Sequence, residues 1–250
     1  MFELFPDMMD KPDSQSIGAS LAYILAAFLI LPFFLLFFAL EFFSKPMVVS
    51  WVETGFHGIT FLFCLKIYGS YLASNFRTAR NNLGRFFLVT GLGIFACLGI
   101  WLFYAFNSFR GGIYECGSIL GFPITEHNLL DYPVFLFEHT PISTLLCVSL
   151  IVPVSVCCLY YGTAFAPGCY DKPWLGYLLV TGLIAVPRFV NCLMFRWDTA
   201  TELYTLAAQL PIHWIACFCY EQTDSIWAPI LIHVVTNFIG SLFVMVLLVL

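Results

Sequence analysis

Charge is scarce in this chain. Lys, Arg, Asp and Glu make up 10% of the 250 residues, whereas soluble globular domains run near a quarter. With 61% of residues hydrophobic, a soluble fold of this length cannot hide the apolar surface, and lipid must cover it. No basic patch is present, which argues against nucleic acid as a partner. No CxxC pair occurs; Cys217 and Cys219 stand one residue apart, without the spacing of a zinc knuckle. The N-terminal MFELFPDMMDKPDSQS is acidic rather than basic, and the apolar run after it is too long for the core of a signal peptide, so cleavage is not expected. No internal repeat is visible.

Long apolar runs are what the chain does have. A spanning helix needs about 20 predominantly apolar residues. Seven segments qualify: 17–43, 47–73, 83–106, 142–165, 174–195, 199–220 and 226–250. The second is the least apolar, carrying Glu53, His57 and Lys66, and splitting it in two would give eight helices. The expected fold class is therefore all-α, a polytopic membrane bundle of about seven transmembrane helices. It divides into 1–141, the N-terminal helices with a long loop from Asn107 to Pro141, and 142–250, a core of four helices. Most of the ten cysteines (Cys64, Cys97, Cys147, Cys157, Cys158, Cys192, Cys217 and Cys219) lie inside apolar runs. There they act as small hydrophobes rather than as a disulfide framework.

Arg77, Arg80 and Arg85 cluster in one short loop without an acid, which places that loop in the cytosol. The long loop, with Glu115, Glu126, Asp131 and Glu138 against Arg110, suits the far side. Seven spans then put the N-terminus in the cytosol and the C-terminus outside. Lys172 agrees with this orientation and Arg196 does not.

Ionisable residues at membrane depth are costly and face an interior or a cavity. Here they are Glu53, His57, Lys66, Arg188, His213 and His233. Each has an ordinary structural role open to it. Lys66 can snorkel, Glu53 and His57 can satisfy each other one turn apart, and His213 can cap a kink at Pro211. His233 and Asn237 carry more. A spacing of four stacks an imidazole and an amide on one helical face. The imidazole can bind zinc or move a proton, and the amide can hold a water or polarise a carbonyl. Interhelical hydrogen bonding is the plainer role for the same pair.

The stretch Ser225–Asn237, SIWAPILIHVVTN, resembles the last signature of the CPBP family, the CAAX-protease and bacteriocin-processing (Abi) intramembrane proteases: a turn, a small-Trp-Ala-Pro run, then His-x-x-x-Asn. The resemblance extends over 142–250. It implies a membrane metalloendopeptidase, in which a glutamate activates water and histidines arrange a metal or the transition state. The first family signature, Glu-Glu-x-x-x-Arg between a Pro and a Gly, falls on VPVSVCCLYYGT, residues 152–163. Pro153 and Gly162 keep the frame, but the Glu positions are Val156 and Cys157 and the Arg position is Tyr161. The second signature, Phe-x-x-x-His, falls in its best frame on Ile184 to Arg188, and an arginine offers no lone pair to a metal. Losing a general base typically costs 10²–10⁴-fold.

Helix rise places His233 and Cys157 level, about 12 Å from the cytosolic end, and Arg188 about 21 Å deep. Three readings follow. One is a CPBP-like pseudoenzyme that keeps the fold and binds a partner or scaffold in the old cavity. Another is an active protease with a variant site around His233 and Asn237, where His233, with Cys157 and Cys158, could hold zinc. The third is an unrelated small transporter. The lipid bilayer is the expected surrounding and a hydrophobic or lipidated peptide, or a membrane protein, the expected partner. The family's distribution points to the cell membrane, a bacterial inner membrane.

Overall fold

The structure, a computed structural model, describes residues 12, 15, 17–24, 46–111, 140–195 and 199–249. Most of the first expected span and the loop 112–139 lie outside the described residues. Every described element is helical, as the composition requires. The chain runs through α1 (Pro46–Asn81), α2 (Leu83–Gly111), α3 (Pro141–Leu146), a π-helical stretch π1 (Cys147–Ile151), α4 (Val152–Cys157), a second π-helical stretch π2 (Cys158–Phe165), α5 (Ala166–Asp171), α6 (Pro173–Phe195), α7 (Thr199–Thr223) and α8 (Trp227–Val249). The elements from α3 to α5 follow one another without a break and make one long helix of changing pitch.

The boundaries expected for α6, α7 and α8 hold to within three residues. The second segment is one helix of 36 residues rather than two pieces. It runs two turns past the apolar stretch, because its polar end is both helix-compatible and anchored. Thr60, Cys64, Tyr68, Tyr71, Leu72, Asn75 and Ala79 form one buried stripe with steps of three and four, so the packing face continues where the hydropathy stops. Arg80 in the last turn complements the helix dipole.

Prolines explain the two π-helical stretches. Pro153 has no N–H to offer Ser149 in π1, and Pro167 has none to offer Thr163 in π2. The carbonyl left without its i→i−4 partner lies in each case inside the stretch that widens to i→i+5.

Helix α2 shows how the bundle is turned. Phe86, Thr90, Cys97 and Trp101 are buried, while Leu88, Leu92, Phe95 and Phe103 face outward. Phe95 is 78% exposed and Leu88 65%. Two described helical stretches, Leu83–Tyr104 and Pro141–Cys169, are long and apolar enough to cross a membrane. The main core gathers around the long helix, with Tyr68, Tyr161, Phe165, Val180, Tyr220, Ile226 and Ile230 from five elements and the turn before α8. A smaller cluster of Phe86, Cys97, Cys219 and Ile232 joins α2, α7 and α8.

Candidate functional site

The site is positioned by the turn that starts α8. Asp224 adopts φ 50°, a left-handed conformation that Asp tolerates better than most residues. This brings Ser225 to the end of α1. Ser225 Oγ donates to the Asn75 carbonyl (3.0 Å), and Asn75 Oδ1 accepts the Ile226 N–H (3.0 Å). The Trp227 indole donates to the Leu72 carbonyl (2.8 Å). Trp227 N–H also meets Ser225 Oγ (3.3 Å), capping α8. The Ser-x-Trp part of the signature therefore holds a helix in place. Beside this clamp, Tyr71 and Tyr220 join through their hydroxyls.

Two turns into α8, His233 points into the bundle and is 8% exposed. Its Nε2 lies 2.9 Å from the Tyr161 hydroxyl of π2. The same hydroxyl lies 2.8 Å from Nδ1 of His213 on α7. Tyr161 is wholly buried and His213 is 8% exposed. The two imidazole rings are 4.9 Å apart at their centroids, and the phenol ring lies 24° from the plane of His233. One oxygen thus serves two nitrogens from different helices.

Proton counting constrains this centre. A phenol has one hydrogen to donate and two lone pairs. It can donate to only one imidazole, so at least one ring must present N–H to the phenol oxygen. The two neutral arrangements differ in which histidine is the acceptor. Such a group can hold or pass a proton without water, and its buried polar atoms are expensive to leave unpaired.

The other sequence candidates scatter. Asn237, one turn beyond His233, donates from Nδ2 to the Val148 carbonyl of π1 (3.2 Å). Its partner is thus a backbone oxygen of the helix that carries Tyr161. Val156 is half-buried and Cys157 wholly buried, one turn before Tyr161 on the long helix. Arg188 belongs to α6, and its side chain lies outside the described residues, as does that of Glu53. Lys66 is exposed and His57 half-buried, its ring edge-on to Phe56 at 5.7 Å.

His213 is the residue that motif matching passed over. Pro211 drew attention to the kink instead, although a second histidine on the helix preceding the His-x-x-x-Asn signature was a usable signal. At Tyr161 the signature frame registers only the absence of an arginine. Its position, four residues after Cys157 and directly before Gly162, already set it on the face that the signature presents.

Gly162 has its own reason. A Cβ there would lie 2.8 Å from Tyr68 Cε1. Tyr68 cannot give way easily, because its hydroxyl joins Ser20 (2.8 Å) and Thr163 (2.7 Å).

Zinc would require ligands that converge at about 2.0–2.3 Å, four in most sites. Among the described residues no group of three His, Cys, Asp or Glu is placed to hold a metal. The phenol oxygen stands where the lone pairs of His213 and His233 would meet an ion. The described residues therefore do not fit a zinc site.

At the end of the bundle, Arg85 Nη2 donates to Gln222 Oε1 (3.3 Å) and the Tyr177 hydroxyl donates to Glu221 (2.9 Å). Burial raises the pKa of Asp224 above the ordinary carboxylate value; Arg85 opposes this and Glu221 adds to it.

The fold and centre define a class first: an all-helical bundle with an apolar exterior and a buried tyrosine and histidine pair between its helices. Residues 134–239 match the model of the Rce1-like family, the type II CAAX prenyl endopeptidases. The match covers the elements that supply Tyr161, His213 and His233, and it is consistent with the CPBP resemblance of the C-terminal signature. No curated protein and no solved structure matches the chain.

Proposed function

We propose that the chain is a multi-pass membrane protein of the CAAX-endopeptidase type that binds a hydrophobic or lipidated peptide and does not hydrolyse it through the family's glutamate chemistry. The supporting observation is the centre itself. The first-signature positions carry Val156 and Cys157, and the hydroxyl of Tyr161 takes both imidazoles. Without a carboxylate at those positions, a water in this site lacks its general base, a loss typically of 10²–10⁴-fold.

About seven spans are proposed, supported by the exposed apolar faces of α2 and α6. A cytosolic N-terminus and an external C-terminus are proposed from Arg77, Arg80 and Arg85. The Arg85–Gln222 contact puts the α7–α8 turn at the same end as those arginines, as that topology requires. A cell membrane is the proposed location.

The test is incubation of the full chain, in lipid nanodiscs, with a prenylated peptide bearing a three-residue tail. Binding without release of the tail is expected. Release that disappears in His233→Ala would overturn this reading in favour of an active protease. That alternative is favoured by one observation, the presence of two imidazoles that hydrogen-bond to one hydroxyl, that of Tyr161.

A further inference from the structure

We propose that Tyr161 is an internal occupant of the site: its hydroxyl holds the position between His213 and His233 that a ligand oxygen takes, and binding displaces it. This rests on the reading above that the bundle receives a hydrophobic or lipidated peptide, whose available oxygens are backbone carbonyls and a terminal carboxylate.

Geometry carries the argument. Donors that stabilise a carbonyl-type oxygen sit 2.7–3.1 Å from the position it occupies. His213 Nδ1 at 2.8 Å and His233 Nε2 at 2.9 Å meet that condition, with the Tyr161 oxygen as the atom in the middle. Both nitrogens come from separate helices, α7 and α8, and converge from two sides. The occupant comes from a third element, and that element can rearrange. Tyr161 stands in π2, a π-helical stretch with α-helix on both sides. A π-helical stretch is a local alternative to the α-helix and is commonly found at functional sites. Pro167 keeps the wide turn from closing fully to α-helix, but the turn can shift its register along the helix, which rotates Tyr161 about the helix axis and moves its hydroxyl off the imidazoles. The side chain then leaves behind two nitrogens spaced for one oxygen.

The ligand chemistry follows. The peptide offers a carboxylate or a carbonyl, which only accepts; the imidazole that takes the phenol proton in the resting centre must therefore switch tautomer or gain a proton and present N–H to the incoming oxygen. A wholly apolar ligand would leave two buried nitrogens unpaired.

The experiment measures binding of a fluorescent farnesylated peptide to the full chain in phosphatidylcholine nanodiscs. The peptide is used with a free C-terminal carboxylate and as its amide, against wild type and Tyr161→Phe. The Phe variant keeps the ring and removes the competing oxygen. Roughly tenfold tighter binding to Tyr161→Phe is expected from the loss of two hydrogen bonds. If the gain vanishes with the amide, the displacing oxygen is the carboxylate; if it persists, it is a backbone carbonyl. Binding within twofold of wild type, or weaker, would overturn the proposal.

A second readout needs no variant. In ¹⁵N-histidine spectra of the wild type, two of the five histidines should shift on addition of peptide, and unchanged spectra under saturating peptide would also overturn it. Release of the peptide tail by wild type, together with tighter binding to the variant, would sink the non-hydrolytic reading and leave the occupant standing. No binding to either protein would overturn both.

Discussion

Replacing Gly162 with Ala tests the packing of the centre with a change of one methyl group. In an ordinary helix this substitution stabilises, by about 1 kcal/mol on propensity alone. Here the new Cβ would lie 2.8 Å from Tyr68 Cε1 and 3.3 Å from Cδ1. The ring cannot swing away without stretching its bonds to Ser20 and Thr163, and Tyr68 has no exposed surface. Overpacking of this kind typically costs 1–3 kcal/mol, and a lost hydrogen bond adds about 1 kcal/mol. Set against the propensity gain, the net expectation is about 1–3 kcal/mol of destabilisation.

Thermal unfolding in detergent micelles reads the sign directly. Gly99 provides the control, because a Cβ there meets nothing within 4 Å; Gly99→Ala should be neutral or stabilising. A Tyr68→Leu background should shrink the Gly162→Ala penalty, and the difference measures the coupling. If Gly162→Ala raised the melting temperature as much as Gly99→Ala does, the account of Tyr68 and Gly162 in close contact would be wrong.

Two further outcomes follow from the clamp at the start of α8. Asn75→Ala removes the acceptor for the Ile226 N–H and leaves that buried donor unpaired. A loss of about 1–3 kcal/mol is expected, seen as a lower melting temperature and faster proteolysis at 223–226. Asp224→Asn tests the charge at the same turn. The folded protein raises the pKa of this carboxyl, so the protonated form is favoured in the fold. Its contribution to stability is fully present below the unfolded pKa and is lost as pH rises through the folded one. Asp224→Asn, which also tolerates the left-handed backbone, should therefore stabilise at neutral pH and flatten stability between the ordinary carboxylate pKa and the raised one. A pH series of unfolding midpoints checks this, and a variant less stable than wild type at pH 7 would contradict it.

The helices were legible because hydropathy reports burial in lipid or protein with a period that survives local detail. The length of α1 was not, since its last two turns are held by Asn75 and by tertiary contacts rather than by apolar content. His233 and Asn237 were legible as two groups on one face. Their partners were not. The spacing of four suggested one shared volume, yet His233 meets Tyr161 while Asn237 reaches the Val148 carbonyl. The reason lies in the opposing helix: its pitch changes at Pro153 and Pro167, so depth counted at 1.5 Å per residue misplaces its side chains. That count set Cys157 level with His233, whereas the contact falls one turn later, on Tyr161. Motif frames emphasise what has been lost, and Val156 and Cys157 drew attention from the residue that had arrived.

The bond between Asn75 and Ile226 also has a consequence for how the protein is made. Its two halves are 151 residues apart in the chain. A ribosome adding about 5–20 residues per second needs about 8–30 s to cover that interval. Throughout it, the end of α1 waits with Asn75 Oδ1 unanswered while α2, the long helix, α6 and α7 are delivered. The turn before α8 arrives after all of these, and its docking sets the start of α8 against a helix made long before it. A substitution at Asn75 would thus be felt as a defect of completion, in chains whose helices from α1 to α7 had already been made.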